Sequence, residues 1–383
     1  NTTRLAYLTG EGHIRSLTAD NYWIKNGYNL LGQKVLISDP IAGVQAISYN
    51  EAGQQSRVID AKGQVTAFDY DGFGRPIRKK IGKANKGAAF YTSYLPKTLT
   101  QIPTDITKGA NVDYLRGQDT LFRYEEEGHG HSSGQLTSVS YPGGSEAAFY
   151  DQQGNIYKAQ RTIAGKTFEL KYAYNHLGKL SSATFPDGSR VDYGYRRNNV
   201  ENVTYTKNGR STMIAAVSSY SDNGFISELQ FGNGTSTEFS YNRDDKGSAL
   251  AIVAQMTNRG KNYSFTENFS YNGIGQLAGV SGDDGQDTFA YDFYGRLSKT
   301  NANRYDFAAD GSISKLRQLN FTKSGKTLDV KDPQGNTVKR IEYDMLGQLA
   351  SSWQEGVLRR FTYNHDSRLV GVEEGGKVLS ESR

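Results

Sequence analysis

The chain has 383 residues, more than a typical domain of about 100 to 200, so it holds several domains or one extended repetitive body. Its 43 glycines and 26 tyrosines, against 7 prolines and 3 methionines, favour tight turns and aromatic-rich strands over helices, so we expect an all-β protein. A net charge of +5 gives no basis for nucleic-acid binding, and the absence of cysteine excludes disulfides and thiolate zinc sites.

Membrane and export signals are absent from the sequence pattern. No apolar stretch approaches the roughly 20 residues that a membrane helix needs, so no membrane span is expected. The first residues are polar rather than typical of a signal peptide. Since the sequence starts and stops inside the repeat described next, we expect it to be a piece of a longer polypeptide.

A short motif, Tyr-(Asp/Asn)-x-x-Gly, recurs along the chain and indicates an internal repeat. Consecutive copies are 20, 21 or 24 residues apart. Complete copies begin at Tyr28, Tyr49, Tyr70, Tyr150, Tyr174, Tyr271, Tyr291 and Tyr343, and degenerate copies at Tyr220, Phe307 and Tyr363. We call the first aromatic residue of each copy its anchor.

Each position of the motif has a physical reason. An aromatic or branched residue lies two places before most anchors, as in Phe68 and Tyr70, and a spacing of two places both side chains on one face of a strand. The Asp or Asn accepts hydrogen bonds from nearby backbone amides, and the Gly supplies the positive φ that closes the turn. An apolar residue six places after the anchor begins the return strand: Ile156, Leu180, Leu277, Leu297, Ile313, Leu349 and Leu369.

A second turn between successive anchors completes a unit of two strands and two turns, which predicts roughly thirty short strands. These inter-hairpin turns are Asp60–Gly63, Pro142–Gly144, Pro186–Gly188 and Asp332–Gly335. So many antiparallel strands cannot lie flat, so the sheet is expected to coil. We expect one body over residues 1–383, in which 82–123 is an insertion or a degenerate repeat.

The motif resembles the RHS repeat, also called the YD repeat, whose signature is Tyr-Asp-x-x-Gly-Arg-Leu. Residues Tyr291–Leu297 match it in full, and Tyr70–Arg75 matches up to Pro76. The resemblance implies an all-β RHS/YD-repeat β-hairpin superhelix that forms part or all of a hollow shell. In Rhs proteins and in the B and C components of Tc toxins such a shell encloses a toxic C-terminal polypeptide, and in teneurins a similar body supports adhesion.

Two functions from different classes follow from the resemblance. The first is a non-catalytic shell of an exported polymorphic or Tc-type toxin, interbacterial or insecticidal, secreted or on the cell surface. Its partners would be a toxin or effector cargo from the same parent polypeptide and components of a delivery system. The alternative is a surface adhesion or carbohydrate-binding module on the same fold.

No residue is predicted to be catalytic, cofactor-binding or metal-binding. The segments Ala164–Thr167 and Ser324–Thr327 end like a phosphate-binding loop but lack its earlier glycine, so they are predicted to be hairpin turns. The turn at Asp332 resembles the Asp-Pro-x-Gly-Leu motif near the autoproteolytic cut of the family, but Asn336 stands at its last position. Asp283–Asp287 lacks the later glutamate of a calcium loop and is predicted to be a hairpin tip.

The remaining residues that could bind a metal or take part in catalysis are the histidines and one acidic cluster. Glu125, Glu126 and Glu127 with His129 and His131 hold borderline metal ligands, but the intervening glycines favour a flexible solvated loop over a metal site. The other three histidines, His13, His176 and His365, are isolated in the sequence. An enzyme is therefore not expected.

Overall fold

The structure is a computed structural model and describes residues 4–7, 14–18, 22–39, 42–86, 91, 105–196, 198–308, 312–364 and 367–381. Its named elements are 34 β-strands, close to the roughly thirty that the repeat predicts.

The first half of the chain contains β1 (Arg4–Tyr7), β2 (Ile14–Thr18), β3 (Tyr22–Tyr28), β4 (Lys34–Asp39), β5 (Gly43–Tyr49), β6 (Gln55–Ile59), β7 (Gln64–Tyr70), β8 (Pro76–Ala84), β9 (Val112–Tyr114), β10 (Thr120–Tyr124), β11 (Leu136–Tyr141), β12 (Gly144–Tyr150), β13 (Ile156–Ile163), β14 (Lys166–Tyr174), β15 (Leu180–Thr184), β16 (Arg190–Arg196) and β17 (Asn199–Lys207).

The second half contains β18 (Arg210–Tyr220), β19 (Ile226–Phe231), β20 (Ser236–Arg243), β21 (Ala249–Arg259), β22 (Ser264–Tyr271), β23 (Leu277–Gly282), β24 (Gly285–Tyr291), β25 (Leu297–Thr300), β26 (Tyr305–Phe307), β27 (Ile313–Leu316), β28 (Leu319–Ser324), β29 (Thr327–Lys331), β30 (Thr337–Tyr343), β31 (Leu349–Gln354), β32 (Val357–Tyr363), β33 (Leu369–Glu374) and β34 (Lys377–Glu381).

The strands form a ribbon in which each strand pairs antiparallel with the next one along the chain. Two places among the described strands depart from this. β9 and β10 both pair with β8, β9 near Gly82 and β10 near Lys79, so they act as one interrupted strand, and no ladder joins β25 to β26. The ribbon divides into a sheet of β1 to β25 and a sheet of β26 to β34, and an isolated bridge from Lys299 to Arg304 lies between them.

Sequential antiparallel pairing places successive turns on opposite edges of the ribbon. One edge carries the turns that follow the anchors, and we call it the tyrosine-turn edge. The other edge carries the turns between those hairpins, and we call it the inter-hairpin edge. All four predicted inter-hairpin turns lie there, between β6 and β7, β11 and β12, β15 and β16, and β29 and β30.

A β-bulge accompanies every described hairpin whose turn follows an anchor. In the hairpin of β7 and β8, Tyr70 pairs with Pro76 but Asp69 pairs with Arg78, which leaves Ile77 as the extra residue. The same register shift occurs from Tyr28 to Tyr363 along the ribbon. Since a bulge bends its strand and increases twist, repeating it at one edge curves the ribbon in one sense.

The best-buried part of the chain lies against the first hairpins and includes residues from beyond β8. Tyr91 and Ile106 join a hydrophobic cluster with Val35, Leu36, Ala46, Ile59, Val65 and Ala84. Ser48 and Thr107 are fully buried, and their hydroxyl oxygens lie 2.7 Å apart. The segment around residues 105–110 therefore covers one face of the ribbon.

The two faces of β7 differ in burial. The paired rings of Phe68 and Tyr70 lie on one face and are half-buried. Val65 and Ala67, on the opposite face of β7, are the buried residues there. The covering segment, rather than the rings, supplies the core at this strand.

Candidate functional site: the two edges of the ribbon

The tyrosine turn is held together by its acidic residue. In the turn after Tyr70, the Oδ1 atom of Asp71 accepts hydrogen bonds from the backbone amides of Phe73 and Arg75, both at 2.9 Å. Gly74 takes the predicted positive φ of 82°. The prediction of an Asx turn closed by glycine is confirmed, and the second amide, four residues after the Asp, is an additional bond.

The arginine of the motif completes the same turn. The Nε atom of Arg75 donates to Oδ2 of Asp71 at 2.7 Å, and Arg296 donates likewise to Asp292 at 2.6 Å. Partial burial works to raise the pKa of Asp292, but hydrogen bonds from the backbone and the guanidinium of Arg296 outweigh it, and the pKa is lowered. Charge-assisted hydrogen bonds therefore close both turns.

Three of the turns that have Asn in place of Asp also have Gln in place of Arg four residues later. Asn29, Asn50 and Asn272 donate from Nδ2 to the Oε1 atoms of Gln33, Gln54 and Gln276 at 2.8 to 2.9 Å. A neutral pair thus replaces the ion pair with the same geometry. The drift of the motif away from Asp and Arg is compensated within each of these turns.

The basic residue of the turn also contacts the next anchor along the ribbon. The guanidinium of Arg75 lies 4.4 Å from the ring centroid of Tyr124, and that of Arg296 lies 4.2 Å from the ring of Phe307. Such cation–π contacts are worth roughly 0.5 to 2 kcal/mol. At these two turns they join one repeat to the next.

A ladder of phenol hydrogen bonds links the repeats through the backbone. The hydroxyl of Tyr70 donates to the carbonyl of Gln55 at 2.7 Å, and that of Tyr291 donates to the carbonyl of Leu277 at 2.9 Å. In each case the acceptor is the first residue of the return strand of the preceding tyrosine-turn hairpin. The same bond is made by Tyr49, Tyr124, Tyr150, Tyr174, Tyr195 and Tyr241. Tyr220 and Tyr271 also donate to the preceding return strand, but to later residues of it, Val200 and Val253.

This ladder also includes three tyrosines that do not begin a copy of the motif, namely Tyr124, Tyr195 and Tyr241. Sequence reasoning missed Tyr124 because its turn spans Glu125 to Gln135 instead of five residues. The signal was present in the spacing of Phe122 and Tyr124. At Phe307 the ladder lacks its donor, and the same strand, β26, begins the second sheet.

The two edges meet where the chain returns to itself. Lys62, in the inter-hairpin turn between β6 and β7, places its Nζ atom 2.6 Å from Oδ2 of Asp344 in the tyrosine turn between β30 and β31. The two residues are 282 positions apart. A Cβ atom on Gly43 would lie 2.6 Å from the backbone oxygen of Met345, so the neighbouring turn is also in close contact.

This contact, which we call the lap contact, completes one revolution of the ribbon, and we call each revolution a lap. At this contact the inter-hairpin edge of the first lap, at Lys62, touches the tyrosine-turn edge of the second lap, at Asp344. Burial works to raise the pKa of Asp344, but hydrogen bonds from Lys62 and from the amides of Gln348 and Leu346 lower it overall. The carboxylate is therefore stabilised in its charged form at the contact.

The acidic and histidine cluster is a loop whose residues are mostly exposed, and its partly buried members contact the neighbouring strands. The imidazole of His129 stacks on Phe149 with centroids 4.4 Å apart, and the amide of His131 donates to Tyr150 at 3.1 Å. Glu126 accepts hydrogen bonds from the hydroxyls of Thr137 and Ser138. These groups bind the chain itself, and the described ranges contain no group of three residues arranged to hold a metal.

The remaining residues considered from sequence lie in turns. His176 lines an open cleft of about 410 Å³ between two tyrosine turns together with Asp151 and Tyr174. Both oxygens of Asp151 already accept hydrogen bonds within its own turn, two of them from Asn155. His13 and His365 lie outside the described residues.

The segments that resemble a phosphate-binding loop or a calcium loop are hairpin tips, as predicted. Gly165 lies between β13 and β14, Gly325 between β28 and β29, and Asp284 between β23 and β24. In the part of the chain that the structure describes, no helix is long and apolar enough to cross a membrane.

Comparisons with known proteins agree with this geometry. Residues 49–82 match the family model of the RHS repeat. None of the curated proteins compared matches the sequence. The sequence resemblance to the RHS repeat is confirmed by the family match and by the structures that share the fold.

Three solved structures share the fold at 13% identity. TcdB2-TccC3 has a TM-score of 0.67 over 100% of this chain and 21% of that chain. TcdB2-TccC3-TEV has a TM-score of 0.70 over 97% and 22%. The Tc holotoxin pore of Photorhabdus luminescens has a TM-score of 0.69 over 97% and 21%. This chain thus spans about a fifth of the length of those chains. The predicted all-β hairpin superhelix is confirmed.

Proposed function

Since the chain has the fold of RHS-repeat toxin shells, we propose that it is a non-catalytic section of such a shell and encloses a toxic polypeptide. The cargo is the C-terminal part of the same parent polypeptide, which is exported as a secreted or surface protein. Residues 1–383 act as one body, in which the segment 82–123 holds an insertion. Components of a delivery system are its further partners.

The lap contact carries this proposal. A ribbon that meets itself at Lys62 and Asp344 forms a wall instead of an open sheet. Strands β7 to β30 lie between the two residues, and β9 and β10 share one position, which gives 23 strand positions. At roughly 4.8 Å per strand such a lap measures about 110 Å around and about 35 Å across.

That size supports a hollow interior. Closed sheets of about 8 strands are filled by their own side chains, whereas those of about 16 to 18 strands leave a water-filled channel. A lap of 23 positions exceeds both. A wall of this diameter has room for a polypeptide that is not natively folded.

Protease challenge tests encapsulation directly. The parent polypeptide with its natural C-terminal extension is produced intact and treated with a protease, and the extension alone is treated in parallel. The proposal predicts that the extension survives inside the parent and is degraded alone. Digestion at equal rates would show that the shell does not enclose it.

The alternative function keeps one specific observation in its favour. Phe73 and Phe293 are 86% and 88% exposed, and exposed rings are what sugars stack on. Strong and selective binding on a glycan array, lost in a Phe73→Ser, Phe293→Ser double variant, would support adhesion or carbohydrate binding instead.

A further inference from the structure

The ribbon has one internal joint that lacks the pairing found elsewhere. Among the strands that the structure describes, β25 and β26 are consecutive but no ladder joins them, and a single isolated bridge from Lys299 to Arg304 lies between them. The strands at this joint are short, since β25, β26 and β27 have four, three and four residues. We call residues 297–307 the seam. It lies inside the ribbon, so its weak pairing does not depend on where the sequence begins or ends.

Contacts of turn residues and side chains add ties across the seam. The amide of Thr300, in the first sheet, donates to the carbonyl of Asn303 at 2.8 Å. The Oδ1 atom of Asn303 accepts from Nε of Arg317, which lies in the turn after β27 in the second sheet. The guanidinium of Arg296 lies 4.2 Å from the ring centroid of Phe307. A joint without a ladder belongs to the low-stability part of a fold, where local opening is most frequent.

The seam also lacks a rung of the tyrosine ladder, although the geometry of a rung is retained. Tyr291 donates to the carbonyl of Leu277, which is one residue after the position opposite its ring. The bridge at the seam sets a register that places Phe307 opposite Arg296, so Leu297 holds the corresponding carbonyl. Phenylalanine has no hydroxyl to donate, so this rung is missing.

The seam lies within the lap that the lap contact completes. Lys62 belongs to the first sheet and Asp344 to the second, so the ribbon between them passes through the seam. Strands β26 to β30 connect the seam to Asp344 through continuous ladders. A rotation at the seam is therefore carried by a paired sheet to the lap contact. The ion pair there is a weak restraint, because its side chains are 36% and 17% exposed.

From these observations we infer that the ribbon flexes at the seam and that the lap contact opens when it does. The closed form, with Lys62 against Asp344, is the resting state, and the open form is a minor state that forms transiently. Opening separates the two laps at this contact and leaves the strands within each sheet paired. The inference concerns the ribbon itself and does not depend on enclosure of a cargo.

Thiol trapping at the lap contact measures the opening. Ala61 lies in the same turn as Lys62, is 7% exposed and lies beside Gly43, where the second lap makes contact. The chain has no cysteine, so an Ala61→Cys variant carries a single thiol. Its alkylation by iodoacetamide is expected to be much slower than that of Asp284→Cys, at an exposed hairpin tip. The ratio of the two rates gives the open fraction.

Two changes at the seam are expected to move the alkylation rate of Ala61→Cys in opposite directions. Phe307→Tyr supplies the missing donor to Leu297 and should slow alkylation about fivefold, the effect of one hydrogen bond on an equilibrium. Asn303→Ala removes the bond from Arg317 and should speed alkylation several-fold. Phe321→Tyr is the matched control and should leave the rate unchanged, because Phe321 is a half-buried ring on β28, away from the seam.

Three results would overturn the inference. An alkylation rate that neither Phe307→Tyr nor Asn303→Ala changes would show that the lap contact opens independently of the seam. A slowing by Phe321→Tyr as large as that by Phe307→Tyr would show a general effect instead of one located at the seam. Alkylation of Ala61→Cys as fast as that of Asp284→Cys would show that the lap contact is not closed at rest.

Discussion

Lys62 and Asp344 form an ion pair across 282 positions, with Nζ and Oδ2 2.6 Å apart. The lysine belongs to one edge of the ribbon and the aspartate to the other. Their meeting fixes the length of one lap and the relation between successive laps.

A double-mutant cycle on Lys62→Met and Asp344→Asn measures the ion pair itself. Both side chains are partly exposed, so we expect a coupling free energy of unfolding of about 0.5 to 1 kcal/mol, from chemical denaturation. The control cycle uses Arg304 and Asp306, a more exposed pair on neighbouring residues, and should give a smaller coupling. Equal couplings would mean that the lap contact adds nothing.

Acid should weaken the same contact. The pKa of Asp344 is lowered in the folded chain, so its contribution to stability is present above the unfolded pKa near 3.8 and is lost as the pH falls through the folded value. The coupling measured by the cycle should therefore be constant near neutral pH and decline below about pH 4. A coupling that persists in acid would contradict the charge-based account.

Replacing Gly43 by alanine should disturb the lap contact more than a comparable glycine does elsewhere. Gly43 has a φ of 84°, and an added Cβ would meet the Met345 oxygen at 2.6 Å and the Cβ of Ala61 at 2.8 Å. Gly188 has a φ of 79° in another inter-hairpin turn, with no atom within 4 Å.

Both alanine variants should lose about 1 kcal/mol or more from the left-handed backbone. Gly43→Ala should lose about 1 to 3 kcal/mol beyond Gly188→Ala because the two laps must separate. Equal losses of unfolding free energy, measured by denaturant titration, would show that the second lap does not lie against Gly43.

Removing one rung of the tyrosine ladder should cost a single hydrogen bond. Tyr150 is 6% exposed, and its hydroxyl donates to the carbonyl of Leu136 at 2.6 Å. Tyr150→Phe should lower the free energy of unfolding by about 1 kcal/mol. Tyr263→Phe, at a 58% exposed residue, should change it little. Equal free energies of unfolding for the two variants would mean that the ladder bond of Tyr150 does not stabilise the fold.

Replacing both residues of the Asp292–Arg296 pair by the neutral Asn–Gln pair should recover part of the stability that Asp292→Asn alone removes. Asp292→Asn faces the Arg296 guanidinium with an amide donor and should cost about 0.5 to 1 kcal/mol. Adding Arg296→Gln recreates the pairing of Asn272 with Gln276, so the double variant should be more stable than the sum of the single effects predicts. Strict additivity of the unfolding free energies would refute the compensation.

The local features of the fold could be predicted from the sequence because they depend on residues close together. The turn at Asp71 and Gly74, and the return strands at Leu180 and Leu277, follow from turn chemistry and the two-residue period. Tyr124 was missed because its long turn hides the motif. The stacking of His129 on Phe149 was also missed, since Phe149 lies in a later strand.

The curvature and the lap contact could not be predicted in the same way. The bulge opposite Asp69 and Tyr70 is a property of the pairing register, and no residue type in the sequence predicts it. Lys62 and Asp344 meet only because small bends accumulate over a whole revolution. The burial of Val65 likewise depends on Tyr91 and Ile106, which follow β8 in the sequence and join the same cluster.

The distance between spin labels on cysteines placed at residues 62 and 344 tests the central claim most directly. The chain has no other cysteine, so the labelling is specific. A ribbon that completes one lap predicts a single short distance, comparable with that of two labels on adjacent strands. A broad distribution at long distances would show that the ribbon does not return to itself and would contradict the account of a closed wall.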